Sequence, residues 1–143
     1  MELEGKVWKS KKHWLIEVPS LNIMTQGYSK EEAMVMIKDA IMEFIYYYFK
    51  AEVDKSFEIT VNIYKKGLIG ITTTNNKLLL ALSLRRQREK SGSTVREASD
   101  RLGSSSPNAY AQYEKGKTRI SLDQYDKLLR AANPYQHSLL RVV

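Results

Sequence analysis

The sequence predicts an α+β protein in two parts: a small antiparallel sheet with one helix, followed by an all-α half. Two observations predict it. Apolar and polar residues alternate with a period near two through much of the first half, whereas helix start and stop signals punctuate the second. The charge changes at the same place. Residues 1–75 carry ten Lys/Arg and ten Asp/Glu, and residues 76–143 carry thirteen and six, which accounts for the whole net charge of +7. A neutral half beside a basic half points to a polyanion as partner for the basic half alone.

The elements follow in order. Val7 and Trp8 open a short apolar stretch, and Lys9–Lys12 makes a turn. In 13–18, Trp14, Ile16 and Val18 alternate with His13, Leu15 and Glu17, which predicts a strand ended by Pro19. A third short strand is expected from Ile23 through Thr25 to Gly27. Ser29 and Glu32 have capping-box spacing, and behind them Ala33, Ile37, Ala40, Ile41, Phe44, Ile45 and Tyr48 fall on one helical face. Phe57, Ile59, Val61 and Ile63 alternate with polar residues as a half-buried strand, and 68–74 suits a further one.

The polar run 72–76 is the expected boundary, giving domains at 1–74 and 75–143. Beyond it a helix is expected over 78–90. A second opens with the capping box Thr94–Glu97 and stops at Gly103. Ser106-Pro107 starts a third that closes at Gly116, and Ser121–Gln124 starts a fourth ending near Asn133-Pro134. Residues 135–143 fit a short further helix or a docking tail.

Composition narrows the chemistry. An apolar fraction of 43% and a charged fraction of 27% suit a globular chain. The absence of cysteine excludes disulfides and thiolate metal sites, and His13 and His137 have no metal-ligand spacing. No cofactor is expected. The opening Met-Glu-Leu-Glu lacks the basic-then-apolar pattern of a secretory signal, and the apolar run 41–49 is interrupted by Glu43 and three tyrosines. A soluble, cytoplasmic protein is the expectation.

Leu84-Arg-Arg-Gln-Arg88, Gly92, Thr94–Leu102, Gly103, Ser106–Tyr113, Glu114-Lys-Gly116 and Leu128-Leu-Arg-Ala-Ala132 together resemble the Cro/repressor-like helix-turn-helix family over residues 78–134. The sequence departs from the family at Ala98-Ser99, where a large apolar residue followed by alanine is usual. The resemblance implies a recognition helix beginning near Ser106. Short hydrogen-bonding side chains at its N-terminal end would read base edges, so Ser106, Asn108 and Gln112 are the candidate base contacts. Thr94, Arg96, Lys115, Lys117 and Arg119 are the candidate phosphate contacts. Tyr110 and Tyr113 are spaced for burial against the preceding helix, a role that suits Tyr113 better. Arg88 and Glu114 form the pair that joins the first and third helices in that family, a structural role. Double-stranded operator DNA is the implied partner, bound by a homodimer or higher oligomer. The dimer surface could be Leu139, Leu140, Val142 and Val143, or the sheet edge of the first domain.

Trp14-Leu-Ile-Glu-Val-Pro19, Thr25-Gln-Gly27 and Ser29-Lys-Glu-Glu-Ala33 resemble, in order and spacing, the HicB antitoxin domain over residues 4–64. That resemblance implies a truncated ribonuclease-H-type fold and a HicA-type toxin as partner, a small RNA-cleaving protein whose active site the antitoxin masks. Glu17, Glu31 and Glu32 are the candidate toxin contacts. Catalysis is not expected. A metal-dependent nuclease needs several converging carboxylates, and the strand-like segments offer only Glu4, Glu17 and Glu58 without fixed spacing. Two functions remain: an antitoxin that represses its own operon, or a toxin-independent repressor whose first domain dimerises or senses a ligand.

Overall fold

The protein is α+β. The computed structural model describes residues 1–135, and the chain folds as two units, Met1–Asn75 and Asn76 onward. The first holds strands β1 (Leu3–Ser10), β2 (His13–Val18), β3 (Ile23–Gly27), β4 (Ile59–Ile63) and β5 (Leu68–Thr73), with one helix, α1 (Lys30–Phe49). All neighbouring strands are antiparallel, in the order β3-β2-β1-β5-β4.

One face of this sheet is covered by α1. Its buried residues Ala33, Ile37, Ile41, Ile45 and Phe49 recur every four positions and form a single ridge. Against that ridge lie Leu3 and Val7 of β1, Ile16 and Val18 of β2, Ile23 of β3, Ile59 of β4, and Ile69 and Ile71 of β5, all buried. Each such side chain contributes about 1.5–3 kcal/mol by leaving water. The alternate residues Glu4, Lys6 and Trp8, Leu15 and Glu17, and Met24 and Gln26 therefore point to the opposite face.

Three details depart from the expected pattern. The short stretch at Val7-Trp8 is the middle of an eight-residue strand that forms the centre of the sheet. Gly5 hides it from a hydrophobicity pattern. A Cβ there would stand 2.6 Å from the Glu17 carbonyl oxygen and 2.8 Å from Ile69 Cγ1, so the core-facing position admits no side chain. At the start of α1 only half of the capping box forms: Ser29 Oγ accepts from the Glu32 N–H at 3.0 Å, while Glu32 itself stays exposed. Burial along β4 also fades, from Ile59 at 2% exposed to Ile63 at 54%; β4 is an edge of the sheet among the described residues, and the α1 side chains Met34, Val35 and Met42 flank only its beginning.

Glu2 ties the chain's beginning to that edge. Its carboxylate accepts hydrogen bonds from Asn62 Nδ2 at 2.6 Å and Tyr64 Oη at 2.5 Å, passing over Gly70, where a Cβ would strike it. The Asn62 bond first, then the Tyr64 bond, hold this carboxyl below its ordinary pKa.

The second unit holds α2 (Asn76–Ser91), α3 (Val95–Arg101), α4 (Asn108–Ala111), which tightens into a 3-10 turn over Gln112–Lys115, and α5 (Leu122–Ala132). Leu78 to Leu84 are buried without interruption, so this stretch of α2 is covered on every side. Both expected capping boxes are complete, Thr94 with Glu97 on α3 and Ser121 with Gln124 on α5. Gly103 takes φ 81°, a left-handed conformation that ends α3 at no steric cost. Residues 136–143, with Leu139, Leu140, Val142 and Val143, lie outside the described residues.

Candidate nucleic-acid interface

α4 is short, and its own hydrogen bonds could not hold it in place. Buried side chains do. Arg88 of α2 grips Glu114 with a two-pronged ion pair, Nε to Oε2 at 2.7 Å and Nη2 to Oε1 at 3.0 Å, while Nη1 donates to the Ser93 carbonyl at 3.1 Å. Only 14% and 6% of the two side chains are exposed. The Glu114 hydrogen bond raises the Arg88 pKa further, so this guanidinium is charged at any pH at which the protein folds.

Tyr110 and Ser99 complete the support. Tyr110 is wholly buried, and its hydroxyl donates to the Leu84 carbonyl at 3.4 Å. Burial, and then the charge of Glu114, push its pKa far above the usual phenol range. Of the two tyrosines, then, Tyr110 is the core residue, whereas Tyr113 is half-buried. Ser99 of α3 explains the departure at Ala98-Ser99. Its Oγ donates to the Pro107 carbonyl at 2.8 Å and accepts from the Tyr110 N–H at 3.3 Å, joining α3 to the first turn of α4. From the sequence Ser99 stood out only as a departure from the family, a polar residue where alanine is usual. Ser99→Ala should destabilise this unit by about 1–3 kcal/mol, because the buried Tyr110 N–H loses its partner and the Pro107 carbonyl keeps only its long bond from the Ala111 N–H. Urea unfolding followed by helical circular dichroism measures it, and a change below about 0.5 kcal/mol would show that the bridge is dispensable.

With α4 held this way, Ser106, Asn108 and Gln112 are all exposed. Pro107 already has helical torsions, φ −63° and ψ −20°, and Ser106 Oγ accepts from the Asn108 N–H at 3.2 Å. Gln112 Nε2 turns back to the Ala109 carbonyl at 3.4 Å, a long bond that a better acceptor displaces easily.

The basic candidates Arg96, Lys115, Lys117 and Arg119 are also exposed. Lys115 closes the 3-10 turn, and Lys117 and Arg119 stand in the segment between Gly116 and α5. Thr94 is committed to its own helix: Oγ1 accepts from the Glu97 N–H at 3.1 Å, and its N–H donates to Glu97 Oε1 at 3.0 Å. The bond from the Thr94 backbone N–H is the chief reason the Glu97 carboxyl lies below its ordinary pKa. A carboxylate depressed in the folded state stabilises above its unfolded pKa and loses that contribution as pH falls through the folded one, so the α3 start loosens in acid.

Three other arginines of this half have partners within it. Arg101 Nη1 donates to Ser93 Oγ at 2.7 Å and to the Ala131 carbonyl at 2.8 Å, fastening α3 to the end of α5. Arg85 pairs with Glu89 and Arg130 with Asp126, each one helical turn apart. The positive field near α4 therefore rests on fewer residues than the net charge suggests.

Residues 84–137 match the family model described as helix-turn-helix. The second unit contains a DNA-binding helix-turn-helix domain. The activity that follows is DNA-binding regulation of transcription. A search of curated proteins returns no match.

The acidic candidates of the first unit are not brought onto one face. Glu17 lies on the sheet face opposite α1, paired in register with Lys6, whereas Glu31 and Glu32 occupy the first turn of α1. A partner reaches all three only by wrapping round the β3 edge. Among the described residues no group of three or more His, Cys, Asp or Glu could hold a metal ion, and no helix is long and apolar enough to cross a membrane.

Proposed function

We propose that the protein is an antitoxin and autorepressor: its helix-turn-helix domain binds operator DNA, and its first unit neutralises a HicA-type RNA-cleaving toxin by masking the active site. The observation that carries the DNA half is the exposed end of α4, held by the buried Arg88–Glu114 pair and the Ser99 bridge within a segment that matches the helix-turn-helix family. In this reading Ser106, Asn108 and Gln112 contact base edges, and Arg96, Lys115, Lys117 and Arg119 contact phosphates. Thr94 joins the phosphate contacts through a group freed from its capping box. The toxin half rests on the HicB-like motifs at 14–19, 25–27 and 29–33, with Glu17, Glu31 and Glu32 offering negative charge to a basic RNA-binding surface. The role requires neither catalysis nor a cofactor, and its setting is the cytoplasm.

The placement of Glu17 away from Glu31 and Glu32 favours a second reading, a toxin-independent repressor whose first unit dimerises or senses a ligand. Co-expression with a small basic protein encoded beside it separates the two. A stable complex that restores growth supports the antitoxin; specific binding to its own promoter without such a complex leaves the plain repressor.

A further inference from the structure

The edge strand β4 is incomplete in a single copy. The Glu58 carbonyl accepts from the Thr74 N–H and the Tyr64 N–H donates to the Leu68 carbonyl, so the even-numbered residues from 58 to 64 direct their backbone groups at β5. Those of Ile59, Val61 and Ile63 point away from the sheet. The strand itself carries none of the usual guards: residues 59–63 contain no charge, proline or glycine, and the flanking charges are Glu58 before it and Lys38 on α1. Beside it runs a groove walled by Met34, Val35, Lys38 and Met42 of α1 and floored by Phe57 and Ile59. Val35 is 57% exposed on its rim. The opposite edge differs, because the core-facing positions of β3 end in Thr25 and Gly27 and leave no apolar side chain uncovered.

We propose that β4 is a homodimer interface, at which two copies pair their β4 strands antiparallel about a two-fold axis through Val61. The occupant follows from the strand's own pattern. Ile-Thr-Val-Asn-Ile is palindromic in polarity, so a second copy in this register sets Ile59 beside Ile63, Val61 beside Val61 and Thr60 beside Asn62, matching both faces at every position. The same register lays the exposed Ile63 of each copy next to Ile59 of the other, in the groove under Met34 and Met42. That accounts for a core-facing isoleucine left in solvent. The sheet becomes a continuous ten-stranded one, and α1 of both copies lies on the same face. The inference rests only on the first unit and is independent of the toxin reading.

The chain has no cysteine, so single cysteines test it in the full-length protein. Thr60 is exposed on the face away from α1, and the proposed register brings the two Thr60 positions to within about 8 Å as diagonal neighbours. With dilute protein and a short bis-maleimide, Thr60→Cys should be captured largely as a covalent dimer, and Gln26→Cys on β3 should remain monomeric. Adding Ile63→Lys to Thr60→Cys should reduce capture at least tenfold, while fluorescence of Trp8 and Trp14 confirms that the unit is folded. The proposal is overturned if Thr60→Cys is captured no better than Gln26→Cys, or if capture survives Ile63→Lys. A toxin- or ligand-binding edge gives the first of those outcomes.

Discussion

Glu114→Ala is expected to destabilise the helix-turn-helix unit by about 3–5 kcal/mol, the usual cost of removing one partner from a buried ion pair. Arg88 would keep its charge in a site where only 14% of its side chain meets water, retaining one backbone bond to Ser93. A small domain has a total stability of roughly 5–15 kcal/mol, so a unit near the lower end would be largely unfolded at ordinary temperature. The two parts of the chain can be watched separately. Both tryptophans, Trp8 and Trp14, lie in the first unit, so their fluorescence follows the sheet, while most of the helical circular dichroism beyond α1 comes from the second. The substitution should lower the urea midpoint of the helical signal and leave the fluorescence midpoint in place. A loss under about 1 kcal/mol would give this pair the weight of an exposed salt bridge, and the account of how α4 is held would fail.

Asn108→Ala with Gln112→Ala should remove operator preference with little effect on folding, since both side chains are exposed. A good bidentate base contact discriminates by about 1–3 kcal/mol. Two of them put the loss of specific over non-specific binding between roughly thirty-fold and twenty-thousand-fold. Non-specific binding, which the proposed function gives to Arg96, Lys115, Lys117 and Arg119, should persist with its salt dependence unchanged. Titration of promoter and scrambled duplexes at two salt concentrations reads both quantities. Equal weakening on the two duplexes would assign Asn108 and Gln112 to the phosphate backbone. Toxin neutralisation should survive the double substitution, because it belongs to the other unit in the antitoxin reading.

Much of the second unit was legible from residues a few positions apart. A capping box is a contract between residues three apart, and Thr94 with Glu97 and Ser121 with Gln124 keep it as read. The helix stops at Gly103 and Gly116 and the Arg88–Glu114 pair were equally legible, the last because a whole motif was present to be matched. What escaped reading was the content of single contacts. Ser99 looked like a departure from a pattern and proves to be the bridge between α3 and α4, and Tyr110 rather than Tyr113 fills the core. Neither could be told from spacing, since both tyrosines follow α3 at intervals that suit burial.

In the first unit the sequence by itself determined the element types and their order, because alternation, the Ser29 cap and the four-residue ridge of α1 are all written locally. The tertiary structure alone decided which strands are neighbours, that β1 is central although Gly5 interrupts its pattern, and that Ile63 meets solvent while Ile59 does not. It also decided that Glu17 lies across the sheet from Glu31 and Glu32. The physical reason is common to these cases. Backbone conformation is biased by the nearest few side chains, but which face of an element is covered depends on pairing with residues far along the chain, or on another copy of it.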